Sequence, residues 1–188
     1  VKLSIRCTIY SQPTILSTNS RDRSTFFFFL IMSLSKGVEI HALTSVKAGM
    51  LKLYTPQSSH ETMLVQIPPN TIDDMFVHKY QTDQLMVVRG SFVLVILHNG
   101  KYQYIAMSES EPNVVTIPPL VPHAAIQLND EPCMVINAVI RHGQAHLSDY
   151  RPLKAPFDYD LAVAKRLNIL GSNRYRSVNI DESISIPD

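Results

Sequence analysis

Two stretches of this 188-residue chain bring together residue types that can move protons or hold a metal. The first is Phe76-Val77-His78-Lys79-Tyr80-Gln81-Thr82-Asp83, running on through Leu85 to Arg89-Gly90. The second is Ile117-Pro118-Pro119-Leu120-Val121-Pro122-His123. An extended chain places alternate residues on one face, so Phe76, His78 and Tyr80 project together, and Ala125 and Gln127 share the face of His123. Asp83 opens a largely apolar run and is the carboxylate able to enter with the two histidines. If these faces turn inward, they line a cavity with Phe76, His78, Tyr80, Asp83, Leu85, His123, Ala125 and Gln127.

Two chemistries are open to these residues. In one, His78 is a general base that takes a proton from the carbon next to a carbonyl, with Tyr80 or His123 returning one and no cofactor required. In the other, His78, Asp83 and His123 form a two-histidine, one-carboxylate set for Fe(II), Mn(II) or Zn(II), with positions left open for substrate or oxygen. A third reading is a pocket that binds a small molecule without turning it over. The remaining candidates read as structural. Gly143 interrupts the spacing of His142 and His146, His41, His60 and His98 have no partners in sequence, Asp73-Asp74 reads as a turn, and nothing near Cys133 would activate its thiol.

The elements that must carry these side chains are strands. Between residues 38 and 140, short runs rich in Val, Ile, Thr and Tyr recur between Pro, Asn, Asp and Gly punctuation. The expected strands are 38–43, 50–54, 62–67, 75–80, 84–89, 91–97, 101–107, 114–117, 123–128 and 133–140. Asn99-Gly100 signals a two-residue hairpin, and Pro68-Pro69 and Pro118-Pro119 must lie at strand ends. Many short strands without interleaved helices argue for an all-β sandwich or barrel. One helix is expected near the carboxyl end, capped by Asp158 or Asp160, continuing through Leu161, Ala164, Leu167 and Leu170, and stopped by Gly171. Residues 172–188 read as a loosely held tail.

Composition narrows the classes further. With 17 Lys+Arg against 16 Asp+Glu the net charge is +1, which leaves no footprint for nucleic acid or an anionic membrane. Apolar residues make up 45% of the chain, enough for a core, and the length suits one domain. The two cysteines, Cys7 and Cys133, are too few for a disulfide scaffold and too far apart for a metal knuckle, so the expected compartment is reducing and cytoplasmic. Phe26-Phe27-Phe28-Phe29-Leu30-Ile31-Met32 is too short to span a membrane. Residues 1–31 are expected to stand outside the folded protein as a non-native or disordered extension, with translation starting at Met32. That leaves residues 32–150 as the domain and 151–188 as helix and tail.

The two stretches resemble the paired motifs of the cupins. His78 matches the second histidine of the first motif and Asp83 its glutamate, with six residues between Asp83 and Gly90. His123 matches the histidine of the second motif, while Phe76 stands at the first histidine and Leu120-Val121 stand where glycine is usual. The resemblance covers roughly residues 75–140. It implies a double-stranded β-helix, or jelly roll, with one carboxyl-terminal helix. Within the cupins, His78-Lys79-Tyr80-Gln81 is similar to the His-Tyr-Gln of dTDP-4-dehydrorhamnose 3,5-epimerases, and Pro112-Asn113 with Ile117-Pro118-Pro119 is similar to the WxcM-like 3,4-ketoisomerases. The resemblance implies an RmlC-like sugar-nucleotide epimerase or isomerase that works without a metal, in a homodimer. The alternatives are a metal-dependent cupin such as a dioxygenase, and a binding cupin without catalysis.

Overall fold

A computed structural model describes residues 9–10, 37–44, 57–144 and 149–176 of the chain. The elements are β1 (Ile9–Tyr10), β2 (Glu39–Ala42), β3 (Glu61–Ile67), β4 (Thr71–Ile72), β5 (Met75–His78), β6 (Gln81–Arg89), β7 (Ser91–His98), β8 (Lys101–Ser108), β9 (Asn113–Ile117), β10 (His123–Gln127), β11 (Cys133–Arg141), β12 (Tyr150–Leu153) and α1 (Leu161–Arg176). One sheet runs β1-β8-β7-β10-β5-β12, with β4 also paired to β10, and the second runs β2-β9-β6-β11-β3. Every strand pair is antiparallel, as a jelly roll requires.

The core has two layers because β7 is buried on both faces. Phe92, Leu94 and Ile96 point between the sheets, against Ile105, Val115, Ile117 and Val135. Val93 and Val95 point the other way, into a cluster with Tyr104, Ile126 and the helix residues Val163, Ala164 and Leu167. An unbroken apolar run is what a strand covered on both faces needs, and each such side chain contributes about 1.5–3 kcal/mol when removed from water. The helix therefore covers the outer face of the first sheet and leaves the space between the sheets free.

Turns set the register of the strands that carry the site. Asn99 and Gly100 both have positive φ (48° and 70°), and the hairpin they form pairs His98 with Lys101. Gly90 joins β6 to β7 at φ 82°, where a Cβ would lie 3.3 Å from the Cys133 backbone. After β9, Leu120 takes φ 64° and donates its N–H to the His78 carbonyl at 2.7 Å. This left-handed residue stands where the resemblance expects glycine.

Several expectations are revised. The strand expected over 75–80 stops at His78, the one expected over 84–89 starts earlier at Gln81, and β4 and β12 were not read from the sequence. The expected strand 50–54 lies outside the described residues. Asp160 caps α1, its Oδ1 accepting from Val163 N at 3.0 Å, but the helix passes through Gly171 to Arg176 and takes in the start of the expected tail. Glycine lowers helix stability by only about 1 kcal/mol and need not end it. Ile9 and Tyr10 pair with Ile105 and Tyr104 of β8, and the rest of the expected extension 1–31 lies outside the described residues. No described helix is long and apolar enough to cross a membrane.

Candidate active site

Between the sheets lies a cavity of about 520 Å³, a size suited to a small molecule. Its walls are apolar: Met63, Val65 and Ile67 from β3, Leu85 from β6, Phe92 and Leu94 from β7, and Val135 from β11. Both sheets feed the polar part. The β5 and β10 strands bring His78 and His123, whereas β6 and β11 bring Gln81, Asp83, Asn137 and Arg141.

Asp83 is the hub. Its carboxylate is 3% exposed, so each oxygen needs a partner. Oδ1 accepts from Gln81 Nε2 and Asn137 Nδ2, both at 2.7 Å. That leaves Oδ2 facing His78 Nε2 at 3.6 Å and His123 Nε2 at 3.5 Å. His123 Nδ1–H donates to the Val121 carbonyl at 2.9 Å, which fixes the tautomer. Burial pushes the His123 pKa down, outweighing the Val121 carbonyl and the Asp83 charge that raise it, and His78 lowers it further. At neutral pH the ring is therefore uncharged, with a lone pair on Nε2 ready to take a proton.

His78 sits among aromatic rings, 5.4 Å from Phe76 and 5.8 Å from Tyr150 between ring centroids. Its Nδ1 is buried without a hydrogen bond, 3.9 Å from Asp149 Oδ2. Asp149 also ends β5: its Oδ1 accepts from Lys79 N at 2.8 Å and Tyr80 N at 2.6 Å, bending the chain just beyond His78. Arg141 ties this carboxylate to the hub, donating to Asp149 Oδ2 at 3.2 Å and to Gln81 Oε1, and it reaches Glu61 Oε2 at 2.6 Å.

Phe76, His78, Asp83, Leu85, His123 and Ala125 all line the cavity. Tyr80 does not. The bend at Lys79 breaks the alternation that would have turned it inward, and its exposed ring carries the Lys79 ammonium at 4.8 Å. Gln127 is buried but lies outside the lining, where its amide ties the next loop through Glu131 O and Asn129 N. Sequence reasoning missed Gln81, Asn137, Arg141, Asp149 and Tyr150 as members of the site. Asn137 carried a signal, a polar residue midway along the apolar strand of Cys133. Asp149 and Tyr150 carried none, since only the pairing of Tyr150 with His78 brings them in.

Of the residues set aside, Asp73 lines the cavity, His146 lies outside the described residues, and others have structural partners. His142 Nε2 meets Thr82 Oγ1 at 2.8 Å, His60 Nδ1 accepts from Arg141 N at 2.9 Å, and burial pushes the Cys133 thiol up to about 12. The hub also fits a divalent metal by its donor chemistry. One ligand atom each from His78, Asp83 and His123 lies within 4.8 Å of the others, and the second polar atoms of His123 and Asp83 are held by Val121, Gln81 and Asn137.

No protein-family model and no curated protein matches the chain. Solved structures do. A dTDP sugar isomerase from Desulfovibrio desulfuricans is 17% identical with a TM-score of 0.52, covering 66% of this chain and 87% of its own. The sugar 3,4-ketoisomerase QdtA from Thermoanaerobacterium thermosaccharolyticum, in a mutant form bound to TDP-4-keto-6-deoxyglucose, is 13% identical with a TM-score of 0.53, covering 71% and 97%. A dTDP-4-dehydrorhamnose 3,5-epimerase from Sulfolobus tokodaii is 15% identical with a TM-score of 0.56, covering 68% and 84%. With two antiparallel sheets, a histidine-lined cavity between them and these structural neighbours, the chain has the fold of the RmlC-like cupins.

Proposed function

We propose that the cavity is the active site of an RmlC-like isomerase or epimerase that moves a proton on the carbon next to a ketone. The observation that carries this reading is the convergence of two imidazole Nε2 atoms on one buried carboxylate oxygen inside a small-molecule cavity. His123, uncharged at neutral pH, accepts the proton, and Asp83 stabilises the imidazolium that results. His78 shares the same carboxylate and can stand on either side of the transfer. Tyr150, the cross-strand neighbour of His78, takes the proton-returning part expected of Tyr80. The neighbouring sugar-nucleotide isomerases and epimerases support the reaction class.

The test is deuterium uptake from D₂O next to the ketone, followed by NMR, with TDP-4-keto-6-deoxyglucose and uncharged ketones as two arms. Wild-type protein is expected to exchange deuterium into one arm, and His78→Ala and His123→Ala are expected to lose that exchange. Binding without exchange in either arm would leave a binding module instead. The spacing of the donor atoms favours a second reading, a two-histidine, one-carboxylate metal centre that would supply Lewis-acid or oxygen chemistry. Elemental analysis by ICP-MS decides between them: near-stoichiometric Fe, Mn or Zn that is lost in Asp83→Asn would replace the isomerase reading. Leu64, exposed on the β3 edge beside the cavity, supports the expected homodimer through that edge. Light scattering on Leu64→Arg, expected to yield monomer, tests it.

A further inference from the structure

The charge of the cavity bears on what can enter it. Among the described lining residues, three carboxylates (Asp73, Asp83 and Asp149) face one guanidinium, Arg141. That cation is already engaged by Asp149 at 3.2 Å and Glu61 at 2.6 Å. A diphosphate brought here would meet like charge at close range in a partly desolvated space, with its natural partner taken twice over.

The polar groups point the same way. Gln81 and Asn137 donate to Asp83, Arg141 donates to Gln81, and Asp149 accepts from the backbone after His78. Among the described residues, a spot for a ligand is formed by the two imidazole Nε2 atoms and Asp83 Oδ2, with the Tyr150 ring beside His78, while His78 Nδ1 and Arg141 Nε are buried without a hydrogen bond. One such spot can meet one carbonyl and the C–H next to it. The hydroxyls of a sugar would lie against Leu85, Leu94 and Val135, where losing water without gaining a partner is unfavourable.

We infer that the cavity takes an uncharged carbonyl compound with an apolar body in place of a nucleoside diphosphate sugar. The carbonyl rests on the proton-transfer reading above, and the rest stands on the walls and charge of the cavity. Isothermal titration of the full chain with cyclohexanone, α-tetralone and TDP tests it. α-Tetralone is expected to bind roughly tenfold tighter than cyclohexanone through its larger apolar area, and TDP to show no saturable binding. Val65→Ser, at a wall position that is 37% exposed, is expected to weaken α-tetralone several-fold with circular dichroism unchanged. Saturable TDP binding that competes with the ketone would overturn the inference. So would ketone affinity that fails to rise with apolar size or ignores Val65→Ser. The two readings fail separately: α-tetralone bound without deuterium exchange keeps this ligand class and removes the isomerase, whereas exchange into TDP-4-keto-6-deoxyglucose does the reverse.

Discussion

Asp83 and His123 face each other from opposite sheets, Oδ2 to Nε2 at 3.5 Å. The second oxygen of Asp83 is pinned by Gln81 and Asn137 and the second nitrogen of His123 by the Val121 carbonyl, so neither group can turn away. A carboxylate and an imidazole fixed in this way are preorganised for a proton that arrives with substrate.

Asp83→Asn keeps the shape of the hub and removes its charge. Deuterium exchange is expected to fall about 100-fold, the scale of losing one member of an acid–base pair, while circular dichroism stays that of wild type. An unchanged exchange rate would mean that the carboxylate only holds its neighbours in place.

Tyr150 and Tyr80 separate the structural assignment from the alternation rule. Tyr150→Phe is expected to lower exchange at least tenfold with little change in ligand affinity, and Tyr80→Phe to change neither. The reverse pattern in paired kinetic measurements would return the phenol to Tyr80.

Stability should depend on pH through His123. Its folded-state pKa lies below the ordinary value of 6.5, so between the two values the unfolded chain binds more protons than the folded one. Unfolding free energy therefore rises with pH across that window. The contribution is present in full above 6.5 and is lost as pH falls below it. Urea midpoints should drop between about pH 7.5 and about pH 5.5, and His123→Gln should flatten that slope. A slope unchanged in the variant would place the titrating group elsewhere.

Two turn residues should shift stability in opposite directions. Gly90→Ala forces a side chain into φ 82° and toward the Cys133 backbone at 3.3 Å, and should lower stability by about 1–3 kcal/mol. Leu120→Gly relieves a left-handed, exposed leucine at φ 64° and should raise it by up to about 1 kcal/mol. Thermal unfolding of both variants checks the pair.

Features that obey local rules were legible in the amino-acid order. Alternation and punctuation marked most of the strands, Asn99-Gly100 its hairpin and Asp160 the helix cap, and motif spacing brought out His78, Asp83 and His123, because each is encoded within a few neighbouring residues. Where alternation stops was settled by contacts between distant parts of the chain. Tyr80 left the cavity because Asp149, 69 residues further on, captures its backbone N–H. Gln127 left it because its amide closes a loop. Tyr150, Asp149 and Arg141 entered only through strand pairing and side-chain bonding across the fold, which no window of sequence contains. The same packing engaged Arg141 with two carboxylates, which is a reason to expect an uncharged ligand.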